Sequence, residues 1–196
     1  NAILEGSQTL KYYKCKSPLL DSEILMSKAI HRDKRFIILN PNMILEKKDL
    51  DFFKKLIKRR SIGQPISYLT GIKSFWKNDF EVNSDSLIPR PDTEVIIEEV
   101  LKLSKNRSKL RILDIGVGSG CILLSVLSER KNFCGIGIDI SKKCIDLSKK
   151  NSFRLKLDKR TKFFKSNVDN FNYGKYDLII SNPPYIKQFD LKYLEK

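Results

Sequence analysis

A carboxamide and a backbone carbonyl stand side by side where an apolar run ends. The run is Asp177-Leu178-Ile179-Ile180-Ser181, and Asn182-Pro183-Pro184-Tyr185 follows it. Two adjacent acceptors of this kind suit a planar nitrogen that carries two N–H bonds, such as an amide or a base amino group. That nitrogen is a poor nucleophile, because its lone pair is delocalised into the neighbouring π system. An enzyme that alkylates it must hold both N–H bonds and aim the lone pair at an electrophile. The Asn182 side-chain oxygen and the Pro183 carbonyl can accept those two hydrogen bonds. Pro183 and Pro184 fix φ and stiffen the segment, and Tyr185 offers a flat wall. The plainer reading of the same residues is a Pro-Pro turn closing a strand.

A second constellation precedes it. Asp114-Ile115-Gly116-Val117-Gly118-Ser119-Gly120 ends one apolar run, and Asp139 ends the next. Glycines after a strand let a backbone approach a ligand closely. The spacing is G-x-G-x-G. It is neither the dinucleotide G-x-G-x-x-G nor the phosphate loop, whose Gly-Lys-Ser/Thr ending is absent. A tight loop starting from a carboxylate suits a cofactor with a positive amino-acid moiety. Asp114 would balance the ammonium and sulfonium charges of S-adenosylmethionine. Asp139 would accept the ribose hydroxyls, as a carboxylate at a second strand end does in nucleotide-binding sheets.

These groups need a scaffold that gathers strand ends. From residue 110 the pattern alternates: strand 110–115, helix 121–130, strand 133–140, helix 142–151, strand 162–165 and strand 176–181. Strand-helix alternation predicts an α/β fold, a parallel sheet with helices on both faces. Ligands of such sheets bind at the carboxyl ends of the strands. The first half reads helical. Pro18 opens one segment at a favourable first helical position, residues 35–39 form a short apolar piece, and Leu50, Phe53 and Ile57 share a 3.6-period face. Residues 66–88 change character: Phe75-Trp76 and Phe80-Glu81-Val82 predict a hairpin turning at Asn78-Asp79. Arg90 lies between two prolines in a stiff segment, and Asp92 is placed to cap the helix after it. The expected division is a helical domain over 1–65, a hairpin linker over 66–88 and an α/β domain over 89–196.

Composition narrows the classes. The chain has 196 residues, 41% of them hydrophobic, enough for a sizeable core. No run reaches the ~18 apolar residues of a membrane helix. Four scattered cysteines suggest reduced thiols and a cytoplasmic setting. A single histidine argues against a catalytic triad or a histidine-rich metal site, so no metal is expected. The net charge of +15 admits two readings, a polyanionic partner or the Lys-rich coding of an AT-rich genome.

Taken together, these residues resemble the bacterial release-factor glutamine N5-methyltransferases, the HemK/PrmC family. The resemblance rests on residues 21–25, Pro65-Ile66-Ser67-Tyr68-Leu69-Thr70-Gly71, Phe75-Trp76, residues 87–94, Gly116 to Gly120, Asp139 and Asn182 to Tyr185. It implies an S-adenosylmethionine-dependent methyltransferase with a Rossmann-like sheet, preceded by a small helical domain that contacts the release factor. It implies methylation of the glutamine amide in the GGQ motif of release factors, a step in translation termination. Gly116, Val117, Gly118, Ser119, Gly120, Asp114, Asp139, Arg90 and Asn182 are then expected at the cofactor. Asn182, Pro183, Pro184 and Tyr185 are expected at the substrate. Asn167 and Val168 fall where the family has an acidic and an aromatic residue against adenine. The basic helices are expected to touch the release factor or the ribosome.

Two other readings stand beside this one. The same clamp serves an adenine-N6 or RNA amino methyltransferase, which would flip and stack its base. Since the sheet of such an enzyme has further strands, a truncated, inactive remnant is the third reading.

Overall fold

A computed structural model describes residues 1–183 of the chain, so the expectations for Pro184 and Tyr185 lie outside the described residues. The chain forms two compact units, Asn1–Ile72 and Lys73–Lys196.

The first unit is helical: α1 Ala2–Tyr12, α2 Pro18–Ile30, α3 Lys34–Leu39, α4 Lys47–Ser61 and α5 Ile66–Thr70. Leu10, Leu25, Met26, Phe53, Leu56, Ile57 and Leu69 form its core. The Asn1 side chain caps α1, accepting from the Ile3 N–H at 3.1 Å. Asp33 caps α3 the same way, accepting from the Phe36 N–H at 2.8 Å. Arg60 and the buried Asp21 pair at 2.8 Å. His31 ends α2 in the left-handed conformation and is exposed. Residues 66–70, read from sequence as the start of the linker, are a helix instead, and Leu69 goes into the helical core.

The hairpin joins β1 Ile72–Phe75 to β2 Asn78–Glu81. Its turn is Trp76-Lys77, two residues before the expected Asn78-Asp79, which belongs to β2. Trp76 carries the positive φ of the turn, 54°. That conformation is costly for a bulky residue, and specific bonds offset the cost. The Trp76 backbone N–H donates to Glu94 Oε1 at 2.7 Å, and the indole N–H donates to Glu129 Oε1 at 2.7 Å. Phe75 and Phe80 bury their rings edge to face, 6.2 Å apart. Asp92 does not cap the next helix. It lies in a 3-10 turn, Pro91–Thr93, and α6 Glu94–Leu103 starts from Thr93 without a side-chain cap.

Four strands follow: β3 Arg111–Ile115, β4 Cys134–Asp139, β5 Thr161–Lys165 and β6 Leu178–Ser181. They form a parallel sheet in the order β5-β4-β3-β6, with α7 Cys121–Glu129 after β3 and α8 Lys142–Arg154 after β4. One core gathers Ile97 of α6, Leu123, Leu124 and Leu127 of α7, Ile145 of α8 and Ile112 of the sheet. Leu113, Ile136 and Ile138 make a second cluster with Phe164, Phe171 and Tyr176. Helices were expected on both faces. Among the described residues, the second cluster has no helical member. Its cover is the aromatic segment after β5.

Candidate cofactor and methyl-acceptor site

Register brings the sequence-predicted groups to one end of the sheet. Ile115 pairs with Ser181, so Asn182 follows β6 alongside the first loop glycine, Gly116. The Ser181 hydroxyl donates to the Ile115 carbonyl at 3.1 Å and pins that junction. Asp139 pairs with Lys165, and the Ser166 N–H donates to the Asp139 carbonyl at 3.0 Å, so Asn167 and Val168 begin the turn beside Asp139.

The glycine loop is built by backbone geometry. Gly116, Gly118 and Gly120 have φ of 75°, 55° and 82°, values that a side chain resists. The N–H groups of Gly116 and Val117 both donate to the Ile138 carbonyl, at 2.9 and 3.0 Å. Val117 is buried beneath the loop against Gly137 of β4, where a Cβ would come within 2.7 Å of its Cγ2. The Gly118 N–H donates to Asp139 Oδ2 at 3.0 Å, and the Ser141 N–H to Asp139 Oδ1 at 2.8 Å. Two carbonyls of the loop are held from α8. Ser148 Oγ donates to Gly118 O at 2.7 Å, and Asn151 Nδ2 to Ser119 O at 2.8 Å.

Asp114 is 1% exposed, and among the described residues its Oδ2 has no hydrogen-bond partner. Burial pushes its carboxyl up to about 7. A hydrogen bond from the Leu123 backbone opposes the rise, and the Asp139 carboxylate adds to it. A buried carboxyl whose ionised form is disfavoured, and whose second oxygen is unused, gains most from a cation beside it. Asp139 has the complementary arrangement. A carboxylate offers about four lone-pair positions; two hold the backbone, and two remain for a diol. This pairing fits the ammonium and ribose of S-adenosylmethionine. Cys121 at the start of α7 is not a nucleophile, since burial holds its thiol up at about 12.

Asn182 is half-buried, and its Nδ2 donates to Thr93 Oγ1 at 3.5 Å, the long end of a hydrogen bond. That contact sets the amide group with its nitrogen toward the segment before α6. Pro183 is exposed. Asn167 and Val168 are exposed as well, and Asn167 Nδ2 donates to Asp169 Oδ2 at 3.2 Å, so the turn does carry a carboxylate. Arg90, expected at the cofactor, is exposed and makes no side-chain hydrogen bond or ion pair among the described residues. Thr93, Gly137, Ser148 and Asn151 were not singled out from the sequence. Ser148 and Asn151 left one legible trace: they continue the buried stripe of α8 as polar residues at helical spacing. Among the described residues, no three His, Cys, Asp or Glu side chains group to hold a metal, and no helix is long and apolar enough to cross a membrane.

Comparison with known proteins agrees with this geometry. Residues 1–71 match the PrmC N-terminal domain, and residues 92–194 match the methyltransferase small domain. A release factor glutamine methyltransferase of Buchnera aphidicola subsp. Baizongia pistaciae is 40% identical over 95% of this chain and 69% of its own length. That of Buchnera aphidicola subsp. Schizaphis graminum is 38% identical over 95% of this chain and 67% of its own. A third, from Nitratidesulfovibrio vulgaris, is 34% identical over 96% and 66%. The chain thus spans about two thirds of the length of these relatives. With both domains matched in order and the strand-end site in place, the chain belongs to the release factor glutamine methyltransferase family.

Proposed function

We propose that this protein transfers the methyl group of S-adenosylmethionine to the side-chain amide nitrogen of the glutamine in the GGQ motif of peptide chain release factors. The observation that carries this reading is the register of β3 with β6, which sets Asn182 next to Gly116. An amide acceptor and a cofactor loop on adjacent strand ends are what methyl transfer between two bound molecules requires.

When bound, S-adenosylmethionine supplies a methyl group on a sulfonium, an electrophile already activated, with a neutral thioether as its leaving group. The chain therefore needs no strong base. Asp114 takes the positive charge of the amino-acid end, and Asp139 takes the ribose. The Asn182 side-chain oxygen and the Pro183 carbonyl accept the two N–H bonds of the glutamine amide, and so direct its lone pair away from them. The proton that the nitrogen sheds passes to water. Most of the acceleration comes from holding two reactants in line, an effect that can supply about 7–11 kcal/mol.

The release factor as substrate rests on the family. We assign its docking to the helical domain, with the hairpin as the link to the catalytic domain. The basic helices bring the ribosome within reach as a neighbour, and the reaction belongs in the cytoplasm. The test offers the enzyme, with radiolabelled S-adenosylmethionine, a purified release factor and separately DNA and RNA. Label on the release-factor glutamine is expected, and label only in nucleic acid would overturn the reading.

A further inference from the structure

Asn151 lies in the last turn of α8, is 1% exposed, and is hydrogen-bonded to two distant parts of the chain. Its Oδ1 accepts from the Glu81 backbone N–H at 2.7 Å, and its Nδ2 donates to the Glu81 carbonyl at 3.0 Å. The carboxamide therefore partners both backbone groups of one β2 residue, as a neighbouring strand would. The second hydrogen of the same Nδ2 goes to the Ser119 carbonyl in the glycine loop at 2.8 Å. Only a side-chain amide offers two donors and an acceptor in one plane, and at this reach only asparagine fits.

The loop bond has consequences beyond itself. A peptide unit is planar and turns as a whole. Holding the Ser119 carbonyl fixes the plane that carries the Gly120 N–H, which itself donates to Val117 O at 2.8 Å. Ser148 fixes the preceding plane through the Gly118 carbonyl. Glycines at 118 and 120 leave the loop free to take other conformations, so these two bonds select one. We infer that Asn151 is a positioning residue for the cofactor: it sets the loop by tying Ser119 to the hairpin, and S-adenosylmethionine affinity depends on that tie. The inference rests on the cofactor reading above and is independent of which substrate is methylated.

Asn151→Asp keeps the shape and removes both donors, which sets a carboxylate against two carbonyl oxygens. With the loop no longer held in one conformation, binding of S-adenosylhomocysteine, measured by calorimetry, should weaken about tenfold or more. In turnover, KM for the cofactor should rise while kcat at saturating cofactor holds. Ser152→Ala is the control for a merely structural loss. Ser152 is the next residue, equally buried, and is bonded to Thr161 Oγ1 at 2.6 Å, away from the loop. It should lower stability against urea and leave affinity for S-adenosylhomocysteine unchanged. Should Asn151→Asp not fold, Asn151→Ser, which can serve one carbonyl only, reads the same quantity. The inference is overturned if the Asn151 variant binds as wild type does, or if Ser152→Ala weakens binding equally. A wild-type protein that binds S-adenosylhomocysteine but methylates no release factor would refute the proposed substrate while the affinity comparison still decides Asn151.

Discussion

Replacing Asp114 with asparagine should stabilise the ligand-free protein at neutral pH and weaken its hold on the cofactor. The carboxyl is 1% exposed, and burial raises its pKa to about 7 from an ordinary 3.8. Between those two values the folded protein binds a proton that the unfolded chain has released. A folded pKa raised above the unfolded one gives a contribution fully present below the unfolded value and lost as pH rises through the folded value. The gap is roughly three units at about 1.4 kcal/mol each, so ionising Asp114 in the empty site costs on the order of 4 kcal/mol. Asparagine has no charge to desolvate, and its Oδ1 can still accept the Leu123 bond. Urea unfolding of both proteins across a pH series measures the difference directly. The variant's advantage should be smallest near pH 4, widen by about 1.4 kcal/mol per unit and flatten above about pH 7. Groups common to both proteins cancel in the subtraction. Calorimetry with S-adenosylhomocysteine near pH 8 should show the opposite ranking, with wild type binding more tightly. A stability difference that stays constant over the whole pH range would mean that Asp114 titrates normally in the fold, and the reasoning would be refuted.

Asn182→Ala should remove detectable methylation of a release factor and change affinity for S-adenosylhomocysteine by no more than about threefold, since the ammonium and ribose are assigned to Asp114 and Asp139 and the acceptor amide to Asn182; retained turnover would count against the clamp. Gly137→Ala places a Cβ 2.7 Å from Val117 Cγ2 and 2.8 Å from Phe163 Cδ1. Overpacking of this kind costs about 1–3 kcal/mol, and because Val117 lies in the loop, cofactor affinity should fall along with the melting temperature. In the helical unit, Arg60→Met leaves Asp21 buried without its guanidinium. A broken buried pair costs about 3–5 kcal/mol, though Arg60 is part-exposed and the lower end is expected; urea unfolding reads it.

The α/β half was legible because its signals are local. Apolar runs of strand length, a glycine turn and amphipathic helices each announce themselves within a few residues, and Asp114, Asp139 and Asn182 could be placed by counting strand ends. The misplaced hairpin turn has a physical reason. Asn78-Asp79 has the composition of a turn, but Glu94 and Glu129 hold the Trp76 turn from 18 and 53 residues away. No separate helix was expected over residues 2–12, where α1 carries Gly6. Its role is close packing: a Cβ there would come within 2.7 Å of Ser22 Oγ and 2.8 Å of Phe53. Asn151 shows in the sequence only as a polar residue on the buried stripe of α8, and its role was hidden because its partners are 70 and 32 residues distant.

The strand order β5-β4-β3-β6 also sets a timetable for assembly. Strands β3, β4 and β5 can pair as soon as they have been synthesised, but the other edge of β3 must wait for β6, which begins 67 residues after β3 does. Contacts of such sequence separation form late, because the chain between them must close first. Until then the backbone groups of Arg111, Leu113 and Ile115 present an unpaired strand edge, a template for adhesion to another chain. The junction that places Asn182 beside Gly116 is therefore among the last to form. A nascent chain can own a folded glycine loop before it owns the residue we assign to the methyl acceptor.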